Sequence, residues 1–159
     1  MSQIQAFDAD RALARIQELK HLDGALLPML HALQDEFGYV DEAAVALLAD
    51  TLNISKAEVQ SVISFYHDFR RLPPGRHVLR LCRAESCQSM GCDKTIAHVE
   101  QRLGVKLGET TPDGAFTLRD VFCLGLCAHS PAAMLDGEPH GCVTPQVADM
   151  LIESAGRRQ

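Results

Sequence analysis

Hydrophobic residues recur at intervals of three and four through residues 1–72, a pattern that predicts amphipathic α-helices. Capping signals divide this stretch into four helices: an aspartate precedes the first and the third, and a Ser-x-x-Glu capping box opens the fourth. A glycine after the second helix is a typical stop. We therefore predict a small helical bundle. The predicted helices are residues 8–20 behind Asp8, with Leu13 and Ile16 on a weak apolar face; Gly24 to Phe37, ended by Gly38; a helix after Asp41 carrying Val45, Leu48 and Leu52; and a helix opened by Ser55–Glu58 that buries Val59, Val62, Ile63, Tyr66 and Phe69.

The segment Pro73-Pro74-Gly75 ends the helical pattern, because a proline pair cannot continue a helix and glycine permits a turn. We place a domain boundary there, between a bundle of residues 1–72 and a second domain of residues 76–159. The second domain has the predicted order β-α-β-β-β-α, which indicates an α+β layer with helices packed on a small sheet. Its predicted elements are strands at 76–82, 115–122, 132–135 and 140–143, a helix at 91–103 with Cys92, Ile96, Val99 and Leu103 on one face, and a last helix after Thr144-Pro145 carrying Val147, Met150 and Leu151.

Composition excludes several classes of protein. Hydrophobic residues make up 47% of the 159-residue chain, which is enough for a packed core. The formal net charge of -6 argues against a nucleic acid partner, whose binding proteins carry clustered lysine and arginine. No apolar run approaches the ~20 residues of a membrane helix, and the first residues lack the pattern of a signal peptide. We expect a cytoplasmic protein without membrane insertion.

Six cysteines in a reducing compartment are expected to be ligands, catalytic groups or buried thiols rather than disulfides. Four of them form two close pairs, Cys82 with Cys87 and Cys123 with Cys127, and each pair begins where a predicted strand ends. Several thiolates in one place are tolerable only around a cation or a cationic cluster. The pairs therefore predict a metal site, either iron-sulfur or zinc.

The spacing within the pairs favours a 2Fe-2S cluster over zinc. Structural zinc sites usually separate their cysteines by two residues, whereas these pairs have four and three intervening residues. Wider loops suit two bridged irons, each of which takes two thiolates. A Rieske centre, a plant-type ferredoxin and a thioredoxin-type dithiol each need a spacing that is absent here. The remaining cysteines, Cys92 and Cys142, are interpreted as small buried hydrophobic residues, with a role as alternative ligands left open.

No catalytic motif accompanies the cysteines. The chain lacks a Gly-x-Gly-x-x-Gly or Walker loop and a Gly-x-Ser-x-Gly elbow, and it has no convincing Cys-His catalytic arrangement. No substrate-transforming site is therefore predicted on this chain, and chemistry on an organic substrate is expected on another subunit. Gly91 and Gly125 are placed to let the loop backbone approach the sulfurs, because glycine adopts conformations that other residues avoid.

The two cysteine pairs with their glycines, taken together with several other segments of the chain, resemble the thioredoxin-like 2Fe-2S ferredoxins that serve as the small subunit of NADH dehydrogenase modules. The resemblance covers roughly residues 24 to 150. It implies an N-terminal helical bundle followed by a thioredoxin-like 2Fe-2S ferredoxin domain, and it implies one 2Fe-2S cluster with four ligands. The segments that carry it are Gly24–His31, Glu36–Val40, Phe65-Tyr66, Pro74–Val78 and His140-Gly141, and the implied ligands are Cys82, Cys87, Cys123 and Cys127.

Within that family, the segments Ser64–Arg70 and Cys82–Gly91 look most like the gamma subunit of soluble, NAD-dependent, molybdenum or tungsten formate dehydrogenase. That resemblance implies a relay of single electrons to or from a flavin mononucleotide on a partner subunit that also binds NAD. A third subunit would carry molybdopterin. Three alternatives remain: the equivalent subunit of a respiratory NADH:quinone oxidoreductase or NAD-linked hydrogenase, a zinc-stabilised interaction module, and a free-standing thiol redox enzyme.

Overall fold

The computed structural model describes residues 6–157, which form two compact units. One unit runs through Pro74, and the second begins at Gly75. Within the described residues there are seven α-helices and one four-stranded mixed sheet, so the predicted α+β class is confirmed. No helix in this part of the chain combines the length and the apolar character needed to cross a membrane.

The described part of the first unit, residues 6–74, contains four helices, and their ends follow local capping chemistry. Asp8 and Asp41 accept hydrogen bonds from backbone N–H groups of the helices that follow them, and Ser55 with Glu58 forms a reciprocal capping box. Gly38 ends the second helix with φ of 83°, a conformation that glycine adopts at low cost. The helices are α1 (Ala9–Leu19), α2 (Leu26–Phe37), α3 (Glu42–Leu52) and α4 (Lys56–Phe65).

The apolar faces of these helices meet in one hydrophobic core, whose largest fully buried side chains include Phe37, Ile16, Met29, Leu30, Leu33 and Leu48. Two predictions about this core were wrong. Leu13 is partly exposed, because Ala12 and Ile16 form the buried face of α1. Tyr66 is exposed, because α4 ends at Phe65 and the chain leaves the helical direction there.

A buried glutamine holds the segment that follows α4. The side-chain amide of Gln34 donates to the carbonyl of Asp68 at 2.9 Å and accepts from the backbone N–H of Arg70 at 2.7 Å. The Arg70 carbonyl in turn accepts from the N–H of Val40 at 2.7 Å. These bonds fix an irregular segment, and Phe69 is therefore buried although it lies outside the helix.

The second unit is built on a sheet in the order β2-β1-β3-β4. Its strands are β1 (His77–Cys82), β2 (Phe116–Val121), β3 (Ala133–Leu135) and β4 (Glu138–His140). The first two strands are parallel, with Cys82 opposite Val121, and the remaining pairs are antiparallel. A parallel pair requires a crossover connection, which is supplied here by helices. The carboxyl ends of β1 and β2 therefore lie at the same edge of the sheet.

Three helices accompany this sheet: α5 (Glu85–Ser89), α6 (Cys92–Leu103) and α7 (Pro145–Gly156). The helix α6 begins after Gly91 and ends at Gly104, close to the predicted limits, and Thr144 caps α7 as predicted. The short helix α5 was not predicted, since five residues are too few to show a helical period. Buried residues of the strands, α6 and α7 share one hydrophobic core.

Two details of the carboxyl-terminal third differ from the sequence prediction. The fourth strand spans Glu138–His140 rather than 140–143, because Asp136 and Gly137 both have positive φ and form a tight turn directly before it. The buried face of α7 carries Ala148, Ile152 and Ala155, while Met150 is exposed. Small residues on this face allow close packing, which the hydrophobic pattern alone did not indicate.

Gly141 is required by a close crossing of two chain segments. A Cβ atom at this position would lie 2.6 Å from His129 Cβ and 3.1 Å from the His129 carbonyl oxygen. The next residue, Cys142, donates its N–H to that same carbonyl at 2.6 Å. There is thus no space for a side chain at position 141, where the chain crosses the turn at His129.

We expect Gly141→Ala to destabilise the second unit by ~1–3 kcal/mol, because the added methyl group overpacks the crossing. Thermal unfolding of the full chain, followed by circular dichroism, would measure the change. The matched control is Gly156→Ala at the end of α7, where a Cβ meets nothing within 4 Å. That variant should be neutral or slightly stabilising. Equal melting temperatures for the two variants would contradict the steric argument.

Candidate metal centre

The parallel pairing of β1 and β2 sets the position of both cysteine pairs. Cys82 is the last residue of β1, and Cys123 follows the end of β2 at Val121 by two residues. Because Cys82 and Val121 are opposite each other in the register, the two loops leave the sheet side by side. The structure therefore brings together the two pairs, whose first cysteines are 41 residues apart in the chain.

The first pair is buried. After Cys82 the chain turns directly into α5, and this single helical turn returns Cys87 to the end of the strand. Both thiols are shielded from solvent at 2% relative exposure. The burial follows from their neighbours, since both residues are part of the hydrophobic core of the second unit.

The second pair lies at the surface. Cys123 and Cys127 are exposed, and their sulfur atoms are 3.8 Å apart. The loop between them turns tightly, with φ of 85° at Cys123 and 77° at Gly125. The N–H of Gly125 donates to the Cys123 sulfur at 3.4 Å, so this glycine does let the backbone approach a sulfur. Cys127 opens one turn of 3-10 helix that ends at His129.

Backbone donors converge on the sulfur of Cys82. Burial by itself raises the pKa of this thiol, but hydrogen bonds from the Ala84 N–H and the Cys87 thiol act in the opposite direction. Further N–H groups at Cys123 and Leu124 also donate to it. The net result is a pKa below the ordinary value for cysteine, because donors stabilise the thiolate more than burial destabilises it. Residues from both loops thus contact this one sulfur.

The four thiols are close enough to influence one another. The pKa of Cys127 is raised, first by its hydrogen bond to Cys123 and by the negative charge there, and less strongly by burial. The charges of Cys87 and Cys82 raise it further. Ionising all four sulfurs together is therefore unfavourable unless positive charge is placed among them, which is what a metal or a metal-sulfide cluster provides.

The geometry of the exposed pair suits binding of one metal ion by its two sulfurs. Two thiolates on a tetrahedral metal with bonds of about 2.3 Å lie roughly 3.8 Å apart, the separation observed for Cys123 and Cys127. Within residues 6–157, no three His, Cys, Asp or Glu side chains converge as a ready site for a single ion. The donor set of four soft thiols in two pairs is compatible with a 2Fe-2S cluster.

Two serine hydroxyls link the loops, and sequence reasoning did not find them. Ser86 in α5 and Ser130 after the 3-10 turn are 2.8 Å apart. Both also lie within hydrogen-bond distance of the Cys127 carbonyl, at 3.0 and 2.9 Å. Ser130 contacts the Cys87 sulfur at 3.6 Å. Serines are common in loops, so only their position next to Cys87 and near Cys127 could have drawn attention to them.

The two cysteines outside the pairs differ from each other. Cys92 is buried in the core as predicted, and burial raises its pKa, with smaller contributions from the charges of Asp93, Cys87 and Cys82. Cys142 is exposed and has φ of 53°, so the prediction of a buried thiol was wrong there. Its exposure follows from β4 ending at His140, two residues before it.

The chain matches the family model described as thioredoxin-like 2Fe-2S ferredoxin over residues 11–156. It is 35% identical over 140 residues to a subunit of the NADH-quinone oxidoreductase of Pseudomonas aeruginosa, and the match covers 86% of this chain and 84% of that protein. It is 34% identical over 139 residues to the HndA subunit of the NADP-reducing hydrogenase of Solidesulfovibrio fructosivorans, covering 87% of this chain and 81% of that one.

A solved structure is also similar. The crystal structure of an NAD+-reducing NiFe hydrogenase in the air-oxidised state aligns with a TM-score of 0.72 and 26% identity over 84% of this chain. Our chain spans only 23% of the hydrogenase chain that it matches.

The family model covers residues 11–156, and the two relatives are 35% and 34% identical to the chain. These findings show the family to which the chain belongs. The 2Fe-2S cluster expected from the cysteine spacing is the cofactor that this family indicates. The chain belongs to the thioredoxin-like 2Fe-2S ferredoxin family.

Proposed function

We propose that this chain is the small electron-transfer subunit of an NAD-linked oxidoreductase complex and that four cysteines hold its 2Fe-2S cluster. In this proposal Cys82 and Cys87 bind one iron, and Cys123 and Cys127 bind the other. The observation that carries it is the meeting of two thiol pairs at one edge of the sheet. The family supports the identity of the cofactor.

When bound, the cluster supplies a carrier that gains and loses one electron at a time. The chain itself does three things for that carrier. Its loops position the four sulfurs, its backbone N–H groups stabilise thiolate at Cys82 and Cys123, and its core keeps solvent from Cys82 and Cys87. Hydrogen bonds to sulfur and burial are two of the means by which a protein sets the potential of a cluster.

The electrons have to come from, or go to, another subunit, because this chain has no recognised nucleotide-binding loop. We infer a direct partner that binds flavin mononucleotide and NAD, in which a two-electron hydride is handled one electron at a time. The names of the relatives support this: one is a subunit of NADH-quinone oxidoreductase and another of an NADP-reducing hydrogenase. In the NAD+-reducing hydrogenase, the similar region is part of a much longer polypeptide.

The exposed pair of thiols suggests which side of the site meets that partner. Cys123 and Cys127 are at the surface, whereas the other pair is enclosed. Two large apolar side chains close to the ligands in sequence are also exposed: Phe122, directly before Cys123, at 70%, and Met90, directly before Gly91, at 62%. Exposed apolar groups next to a redox site are typical of a surface that another protein covers.

Among the possible complexes, NADH-quinone oxidoreductase and NAD-linked hydrogenase have the stronger support, since relatives of this chain bear those names. The gamma subunit of formate dehydrogenase, suggested by the segments Ser64–Arg70 and Cys82–Gly91, remains a narrower hypothesis. It requires a third subunit with molybdopterin. The metal content of the complex distinguishes these possibilities.

Anaerobically purified protein is expected to contain two irons and two acid-labile sulfides per chain and to give an electron paramagnetic resonance signal only after reduction. Replacing any of Cys82, Cys87, Cys123 or Cys127 by alanine should remove most of the iron, because the side chain then has no atom that can bind a metal. The matched control is Cys142→Ala, which changes an exposed cysteine outside the pairs and should keep the cluster.

Zinc without sulfide would contradict the proposed function, and so would full iron content in an alanine variant of one of the four ligands. Thiol-disulfide turnover by the metal-free protein would support a redox enzyme instead.

Purification of the complex through a tag on the full chain is expected to yield a flavin-containing partner through which NADH reduces the cluster. Phe122→Asp should lower the yield of partner, and the control Met150→Asp, an exposed site on α7, should not. Molybdenum or tungsten in the complex would support formate dehydrogenase, and nickel would support a hydrogenase. A cluster-loaded chain that NADH and a flavin partner cannot reduce would refute the electron-transfer role.

A further inference from the structure

The hydroxyl group of Ser130 lies at the centre of a network that includes a sulfur atom. It is 3.6 Å from the Cys87 sulfur, 2.8 Å from the Ser86 hydroxyl and 2.9 Å from the Cys127 carbonyl oxygen. Ser130 and Cys87 are both buried, so water does not compete for these contacts. Ser86 reaches the same carbonyl at 3.0 Å. The network therefore connects the loop of the first thiol pair with the loop of the second.

Counting protons limits how this network can be arranged. The two hydroxyls carry one proton each, whereas the carbonyl oxygen carries none and can only accept. In the free protein the single proton of the Cys87 thiol has two acceptors within reach, the Ser130 hydroxyl and the Cys82 sulfur. A cysteine bound to iron is a thiolate and has no proton to donate. The same contact is then satisfied only if the Ser130 hydroxyl donates to the sulfur, which leaves the Ser86 hydroxyl to donate to Ser130 or to the Cys127 carbonyl.

We propose that Ser130 donates a hydrogen bond to the sulfur of Cys87 in the cluster-bound protein and thereby raises the reduction potential of the cluster, with Ser86 orienting its hydroxyl. This inference rests on the proposed function, since it takes Cys87 to be a ligand. Ser130 is a positioning residue in this role: it acts on the cluster through a ligand and does not bind iron itself.

The direction of the effect follows from charge. Reduction adds one electron, so the ligand sulfurs become more negative and accept a hydrogen bond more strongly than before. A donor at Cys87 therefore stabilises the reduced form more than the oxidised form. Because Ser130 and Cys87 are buried, the local dielectric constant is low and the difference between the two forms is not screened by water.

The test is a redox titration of the full, cluster-loaded chain, monitored by electron paramagnetic resonance. Ser130→Ala is expected to lower the midpoint potential. At a fixed ambient potential the ratio of reduced to oxidised cluster should fall roughly threefold to tenfold, where tenfold corresponds to about 59 mV for one electron. Ser130→Thr retains a hydroxyl and should restore the potential of the parent protein.

Ser86→Ala is the matched control. It also removes a hydroxyl from this network, but the Ser86 hydroxyl contacts the Cys127 carbonyl and the Ser130 hydroxyl rather than a sulfur. Its potential should change less than that of Ser130→Ala. Equal shifts in both alanine variants would mean that loosening of the loops is responsible, and would overturn the proposal.

An unchanged potential in Ser130→Ala would also overturn the proposal. So would loss of the cluster from Ser130→Ala but not from Ser130→Thr, since the hydroxyl would then be needed for assembly rather than for tuning. Iron and sulfide analysis of the parent protein distinguishes failure of the proposed function from failure of the role of Ser130. A parent protein without a cluster contradicts both the proposed function and the role of Ser130. A parent protein with a full cluster, together with a Ser130→Ala variant whose midpoint potential is unchanged, contradicts only the role of Ser130.

Discussion

The parallel register between β1 and β2 is the constraint on which the site depends. Parallel strands end at the same edge, so the pairing of Cys82 with Val121 brings two loops from distant parts of the chain next to each other. Four thiols in this space repel one another once they ionise, as the raised pKa of Cys127 indicates. A thiol that keeps its proton, which the raised pKa of Cys127 favours, avoids that repulsion in the free protein, and the positive charge of a bound cluster would balance the thiolates.

Hydrogen bonds act together with apolar packing in the loops that follow β1 and β2. The turn at His129 is held by the Cys142 N–H and is approached so closely by Gly141 that no side chain fits. Serine hydroxyls join the same turn to α5. Directional contacts fix the position of a sulfur more narrowly than hydrophobic contacts do, because they constrain angle as well as distance. The groups that position the four thiols would consequently also adjust the electronic environment of a cluster bound to them.

Cysteines of this chain lie in three different environments, and each environment sets the chemical properties of the thiol. Cys82 is buried but receives several N–H donors, so its pKa falls. Cys92 is equally buried but lacks that set of donors, and its pKa rises, which suits an inert thiol in the core. Cys142 is exposed at the surface. The number of cysteines alone does not distinguish these environments. The spacing within the pairs does distinguish Cys82 from Cys92 and Cys142.

The sequence by itself determined the helix caps at Asp8, Asp41, Ser55 and Thr144, the glycine stops, the ends of β1 and β2, and the cysteine pairs, because each depends on residues within a few positions of one another. Only the tertiary structure decided the exposure of Tyr66, the buried face of α7 and the start of β4. The contact between Ser86 and Ser130 is another feature that only the tertiary structure decided. It joins residues 44 positions apart, and a local pattern carries no information about a partner that only the folded sheet brings near.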